Sequence, residues 1–346
     1  MMKCMGLRRR IMITRIIGTG SCLPESIVTN DDLAGIMDTS DEWIASRTGI
    51  RERHLAKDET TAFMASEAAR KALEDAGIEA DKVDMIIVGT ITGDYITPST
   101  ACQVQGRLGA ANAVAFDINA ACSGFMYALH TAYAYLQTGI YKTALVLGAE
   151  TLSKIMDWKD RSTCVLFGDG AGAAVVQAFE EGGQRISEKE MMGESGGLLA
   201  FEQGSDGVKG MVLNCRGRLN HNPLTANPFA PSYVSMDGQE VYKFAVSTVP
   251  ASIRRVLGKA GVEVEDIKYF ILHQANLRII QSVAKRLKAD VDKFPVSLDH
   301  CGNISAASVP VLLDEMNRKG MLKRGDKIVM SGFGGGLTWA SAVIEW

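Results

Sequence analysis

The sequence predicts an α/β protein of two related halves, with helices packed between two sheets. Three observations carry this. Residues 73–90 (LEDAGIEADKVDMIIVGT) and 257–274 (LGKAGVEVEDIKYFILHQ) match without a gap at an offset of 184. Residues 122–142 and 303–323 form a second pair at an offset of 181, each an apolar helix-like stretch followed by a strand, ALVLGAE or KIVMSGF. Each half then closes on a glycine-rich turn and a strand, FGDGAGAAVV from Phe167 and GFGGGLTWASAVI from Gly332.

The elements follow in order. Residues 1–12 hold Lys3 and Arg8 to Arg10 and are expected as a loose extension. Arg15 cuts the apolar run after them too short for a signal peptide. The first half is expected over 13–183 and the second over 233–346, with the Gly-rich, polar segment 184–232 as connecting loops. In each copy of the first repeat a helix stops at a glycine, Gly77 or Gly261, and an acidic loop leads into an apolar β-rich strand. The helices from Cys122 and Asn303 end at Gly139 and Gly320. Both are apolar nearly all round, so both are expected in the buried middle of the molecule.

Composition narrows the function classes. The 346 residues are 47% hydrophobic and 22% charged, with a formal net charge of −3, so no global feature points to nucleic acid. No stretch approaches a membrane-spanning length. The seven cysteines are odd in number and none are spaced C-x-x-C. That argues against a disulfide framework or a structural metal site and for a reduced, cytoplasmic setting.

Cys122 sits in AFDINAACSGFMYALHTAYAYL, between a strand end and a helix start. Ala120, Ala121, Ser123 and Gly124 leave room around its sulfur. Unpaired N–H groups and the helix dipole at such a position favour thiolate, as for a nucleophile. A buried core cysteine is the competing reading. His273 falls where the strand YFIL ends, and Asn303 at a helix start in GNISAAS. Alone, they read as a satisfied polar residue and an N-cap. The repeat sets Asn303 in the second half where Cys122 stands in the first, so the three residues are expected to converge.

The runs DTSDEWIASRTGIRERH, DINAACSGF, FGDGAGAAV, HQANLRII, GNISAASVP and GFGGGLTW together resemble the β-ketoacyl-acyl carrier protein synthase III family of the thiolase superfamily. The resemblance runs from about Ile13 to Trp346. It implies a five-layered αβαβα fold and a cysteine enzyme. An acyl-coenzyme A would acylate Cys122, and malonyl-acyl carrier protein would then decarboxylate and condense with the acyl group. Coenzyme A thioester is a substrate there, and no resident cofactor or metal is expected.

By the same resemblance, Cys122, His273 and Asn303 match the catalytic triad. The backbone N–H groups of Cys122 and Gly335 match the oxyanion hole. Thr39, Trp43, Arg47, Arg161 and Arg278 match the coenzyme A site, and Thr97 and Phe167 the acyl pocket. Lys243, Arg278, Lys285 and Arg286 would meet the acidic carrier protein. A homodimer is implied, with Thr97 reaching the partner's pocket, where threonine in place of a larger residue would deepen it. GDGAG (168–172) is expected as a packed turn.

Rival readings are a thiolase, a hydroxymethylglutaryl-coenzyme A synthase or a ketosynthase of secondary metabolism on the same fold. The chain carries GFGGG where thiolases have a second cysteine, and Asn303 where elongating synthases have a second histidine. A nicotinamide dehydrogenase rests only on GTGSCL from Gly18, which lacks a third glycine. A non-enzymatic binding module leaves Cys122, His273 and Asn303 unexplained.

Overall fold

The computed structural model describes residues 12–180, 196–227 and 231–346. The extension expected over 1–12 lies outside them except for Met12.

The first sheet orders its five strands Met12–Cys22, Asp169–Glu180, Thr143–Thr151, Met85–Gly89, Val114–Ile118. The last three are parallel, and Asp169–Glu180 is antiparallel to both its neighbours. Every residue of Met85–Gly89 and Thr143–Thr151 is buried. This is why both read as continuous apolar runs instead of alternating ones. The second sheet orders Tyr269–Leu272, Lys327–Gly334, Thr338–Glu345, Gly197–Ser205, the first pair parallel and the others antiparallel.

Helices Gly124–Leu136 and Ser308–Arg318 lie between the sheets and touch both. Phe125, Met126 and Leu129 pack with Leu312, Leu313 and Met330 in one apolar cluster. Each such fully buried side chain contributes about 1.5–3 kcal/mol relative to exposure. Thr61–Ala76 and Thr100–Leu108 cover the outer face of the first sheet, and Gly238–Ala260 and Leu277–Leu287 that of the second. The result is five layers. The expected helix stops stand: Gly77 and Gly261 cap their helices in the left-handed region, at φ 66° and 65°. Among the described residues no helix is long and apolar enough to cross a membrane.

The structure corrects three expectations. The segment read as connecting loops contains the strand Gly197–Ser205, the edge of the second sheet and the counterpart of Met12–Cys22 in the first. GDGAG is not a turn, because the strand runs from Asp169 to Glu180. Its residues are small because a helix packs on them: a Cβ on Gly172 would lie 2.7 Å from the backbone nitrogen of Val311.

The third correction concerns the repeat, whose offset is 184 at the site as well. Ala121 (φ 45°) and Ser305 (φ 49°) are both left-handed, and each opens a 3₁₀ turn, Ala121–Ser123 or Ser305–Ala307. Paired strands keep the same spacing, Met85 with Ala144 and Tyr269 with Ile328. Cys122 therefore answers to Ala306, and Asn303 lies three residues earlier. The offset of 181 holds only at the glycines after the helices, Gly139 and Gly320, because the second helix has 11 residues against 13 and its glycine follows one residue sooner. GTGSC, Gly18 to Cys22, lies within the strand Met12–Cys22, and the chain runs on from Leu23 to a short strand, Ile27–Thr29, so no helix offers a phosphate site there.

Candidate active site

Cys122, His273 and Asn303 line one cavity of about 740 Å³, together with Phe167, Ser305 and the turn from Gly334 to Gly336. Cys122 is carried by the 3₁₀ turn between the strand Val114–Ile118 and the helix Gly124–Leu136. The left-handed Ala121 before it is unfavourable for a residue with a Cβ and persists because surrounding contacts fix it. One such contact is Thr338, whose hydroxyl lies 3.0 Å from the Ala120 carbonyl and 2.9 Å from that of Gly335. A Cβ on Gly334 would stand 2.7 Å from the Cys122 Cβ and 3.1 Å from its Sγ, so only glycine fits there. Gly335, the expected oxyanion donor, lines the same cavity.

Burial pushes the Cys122 thiol up to about 11. A hydrogen bond from Ser305 and the thiol's own backbone N–H pull it down, and the Glu150 carboxylate pushes it further up. The expectation that the helix start favours thiolate is therefore not met at rest. Desolvation is the largest influence on the thiol, and the regular helix begins only at Gly124, beyond the 3₁₀ turn.

His273 is 1% exposed and follows the strand Tyr269–Leu272, its backbone N–H donating to Ser331. Its Nδ1 lies 2.7 Å from Ser308 Oγ, which leaves the Nε2 edge for the cavity. Burial lowers its pKa to about 3, so the imidazole is neutral. The Asn303 backbone is held on both sides, its N–H by Leu166 and its carbonyl by the N–H of Gly168. Its Oδ1 accepts from the Ser305 N–H at 2.9 Å. An amide N–H can only donate, so the Asn303 side chain is fixed with its NH₂ left as donor.

The residues expected to bind coenzyme A gather beside the cavity rather than in its wall. The Arg47 and Arg161 guanidinium carbons stand 4.7 and 5.3 Å from the Trp43 ring. Arg161 also pairs with Asp38 at 3.0 Å. Arg278 donates to the Ser46 carbonyl at 2.8 Å, and its chain neighbour Ile279 lines the cavity. Thr39 Oγ1 is buried with no hydrogen-bond partner among the described residues.

Lys285 and Arg286 are exposed in the last turn of Leu277–Leu287, opposite its buried face of Ile279, Ile280, Val283, Ala284 and Leu287. Tyr242 bonds Ser282 across to the neighbouring helix. Lys243 there is exposed and paired with Glu240. Phe167 is buried and bridges to Asn303. Thr97 is exposed and does not line this chain's own cavity; it follows the exposed Tyr95 and Ile96.

Sequence reasoning missed Ser305, Ser308, Glu150 and the cavity wall supplied by residues 213–217 and by Ser232, Val234, Met236, Gly238, Val241 and Tyr242. Glu150 carried a signal. It is a lone acid within ALVLGAE, a run that buries completely, and buried acids are rare without a purpose.

Two family models match: 3-oxoacyl-[acyl-carrier-protein (ACP)] synthase III over residues 116–195, and its C-terminal part over 257–346. The β-ketoacyl-[acyl-carrier-protein] synthase III of Clostridium acetobutylicum is 50% identical over 332 residues, spanning 96% of this chain and 98% of that one. The enzyme of that name from Desulfitobacterium hafniense is 48% identical over 334 residues, covering 96% and 97%. The crystal structure of 3-oxoacyl-[acyl-carrier-protein] synthase III from Aquifex aeolicus is 44% identical and superimposes with a TM-score of 0.86, covering 96% of this chain and 100% of that one. The priming β-ketosynthase of the R1128 polyketide pathway is 35% identical with a TM-score of 0.88, at 98% of both chains. The chain belongs to the β-ketoacyl-[acyl-carrier-protein] synthase III family.

Proposed function

We propose that this chain catalyses the initiating condensation of fatty-acid synthesis, with Cys122, His273 and Asn303 as its catalytic residues. The Cys122 sulfur attacks the carbonyl of an acyl-coenzyme A, and coenzyme A leaves as the thiol. Malonyl-acyl carrier protein then enters and loses carbon dioxide, and its enolate carbon attacks the acyl-cysteine. Collapse expels the Cys122 sulfur and releases β-ketoacyl-acyl carrier protein. A thiol suits both steps, because it is a good nucleophile and its thioester is readily attacked again.

The observation that carries this reading is that a thiol, a fixed amide donor and a neutral imidazole share one cavity. Decarboxylation builds charge on the thioester oxygen, and preorganised donors stabilise it without reorganising. Asn303 offers its NH₂. His273 offers Nε2–H in the tautomer where the Ser308 hydroxyl donates to Nδ1. Ser305 O, the other acceptor of that hydroxyl, already receives the Ser308 backbone N–H. The backbone N–H groups of Cys122 and Gly335 serve the acyl-cysteine carbonyl.

Trp43 between Arg47 and Arg161, with Arg278 and Thr39 nearby, offers an aromatic face and cations for adenine and phosphates. Lys243, Arg278, Lys285 and Arg286 face the acidic carrier protein. The chain works as a cytoplasmic homodimer without a resident cofactor, and the exposed Tyr95–Ile96–Thr97 loop enters the partner's acyl pocket, which Phe167 helps to line. The test is product analysis. A panel of acyl-coenzyme A primers with malonyl-acyl carrier protein should yield β-ketoacyl-acyl carrier protein and carbon dioxide. Absence of condensation with every primer refutes the reading.

A further inference from the structure

We infer that His300, Cys301 and Glu315 form a zinc site that ties the segment carrying Asn303 to the central helix. His300 and Cys301 end the short helix Leu298–Cys301, just before Asn303. Glu315 lies on the helix Ser308–Arg318, packed between the two sheets. One ligand atom from each of the three lies within 4.8 Å of the other two. His300 Nε2 stands 2.9 Å from Glu315 Oε1, and the Cys301 sulfur 4.0 Å from the same oxygen. Zinc bonds of about 2.0–2.3 Å in a tetrahedral set space the ligand atoms about 3.3–3.6 Å apart. Both contacts fall within about half an ångström of that spacing, one short and one long.

The donor set suits this ion. Imidazole, thiolate and carboxylate are all zinc ligands, whereas magnesium and calcium take oxygen alone. The thiolate and the Glu315 carboxylate together balance the ion's charge. The surrounding groups hold the ligands in place. His300 Nδ1 lies 2.9 Å from Asp299 Oδ1, the carboxylate–histidine arrangement that orients a ligating ring. Lys319 donates to Glu315 Oε2 at 3.2 Å, which leaves Oε1 for the metal. The His300 and Glu315 side chains are 36% and 19% exposed, so the ion has a way in and water can take the fourth position. With a carboxylate oxygen at each ring nitrogen, metal-free His300 carries both ring protons. Zinc replaces the Nε2 proton and the thiol proton, and both leave to solvent.

An ion pair alone accounts for His300 between Asp299 and Glu315. It does not account for the buried Cys301 sulfur against the same Glu315 oxygen. The lack of C-x-x-C spacing does not bear on this set, because only one of its ligands is a cysteine. None of the three residues lines the Cys122 cavity, so the ion is structural and takes no part in the condensation. Its place is the segment between Cys301 and Asn303. Gly302 there holds a positive φ of 66°, and Asn303 is bonded to Leu166 and Gly168. The ion adds a tie from this segment to the central helix.

The test is titration of the chelator-treated full chain with zinc alone, read by competition with a chromophoric chelator and by thermal unfolding. Cobalt(II) serves as the spectroscopic probe. The wild type should bind one equivalent of zinc, unfold at a higher temperature with it, and show a thiolate-to-cobalt charge-transfer band. His300→Ala and Cys301→Ser should each weaken zinc binding at least about 100-fold, and Asp299→Asn about tenfold. Cys301→Ser should lose the cobalt band, and Cys122→Ala should keep it. Unfolding midpoints in metal-free buffer identify any variant that fails to fold, and Asp299→Asn, which leaves all three ligands in place, then carries the comparison. A wild type that takes up no zinc overturns the site and leaves an ion pair only. Uptake unchanged in His300→Ala and Cys301→Ser, or lost in Cys122→Ala, overturns it as well.

Discussion

Replacing Gly334 with alanine should cripple the site while sparing the fold. The added Cβ would stand 2.7 Å from the Cys122 Cβ and 2.8 Å from its backbone nitrogen. Non-bonded carbons settle at about 3.5–4.0 Å, so the two segments must part by about 1 Å. Neither can yield alone. Gly334 is paired with Thr338 in the sheet, and the Thr338 hydroxyl also ties down the Cys122 turn. Overpacking of this kind costs about 1–3 kcal/mol of stability. A misplacement of about 1 Å at a reacting atom costs about 10² in rate. Gly335→Ala is the control. Its Cβ would meet Ala121 and Leu213 at an ordinary 3.4 Å, and its backbone N–H would remain. Single-turnover acylation, with thermal unfolding alongside, should show Gly334→Ala slowed about 100-fold and Gly335→Ala slowed less than about tenfold. Wild-type acylation by Gly334→Ala would refute the packing argument.

Asn303→Ala and His273→Ala should slow malonyl decarboxylation by about 10²–10³ and acyl transfer much less, read by carbon dioxide release against adduct formation. Arg278→Glu and Lys285→Glu should weaken use of malonyl-acyl carrier protein, and added salt should mimic them; acylation from coenzyme A should suffer more for Arg278, which lies beside Arg47. Stability should also record Glu150. Its carboxyl stands at about 7 in the fold against 4.5 when free, so between these values the folded chain holds a proton the unfolded chain has lost. Stability from this group therefore falls as pH rises through that window and levels off above it. At about 1.4 kcal/mol per pH unit, Glu150→Gln should gain roughly 3 kcal/mol at pH 8 and little at pH 4.5, read from unfolding midpoints.

What the sequence disclosed follows from where the physics is local. MIIVG and TALVLGAET read as buried strands because parallel strands bury both faces, and Gly77 and Gly261 marked helix ends because few other residues tolerate that backbone. Cys122, His273 and Asn303 were legible as a set through the family motifs, and they do share a cavity. The strand Gly197–Ser205 was hidden. Its residues include Glu202, Gln203 and two glycines, and only pairing with Thr338–Glu345 makes it a strand. The alignment of Asn303 with Cys122 misled because the second helix is two residues shorter and Gly320 follows it one residue sooner than Gly139 follows the first. Ser305 and Glu150 lie 155 residues apart, so nothing local announced their hydrogen bond. Burial, which no motif encodes, raises the Cys122 thiol.

The central claim is that Cys122 is the acyl-accepting nucleophile. Intact-mass measurement after exposure to acyl-coenzyme A, followed by peptide mapping, tests it most directly. The wild type should gain a single acyl group on the peptide containing Cys122, Cys122→Ala should gain none, and malonyl-acyl carrier protein should then discharge the adduct. An acyl group mapped to Cys102, Cys164 or Cys301, or persisting in Cys122→Ala, would contradict it.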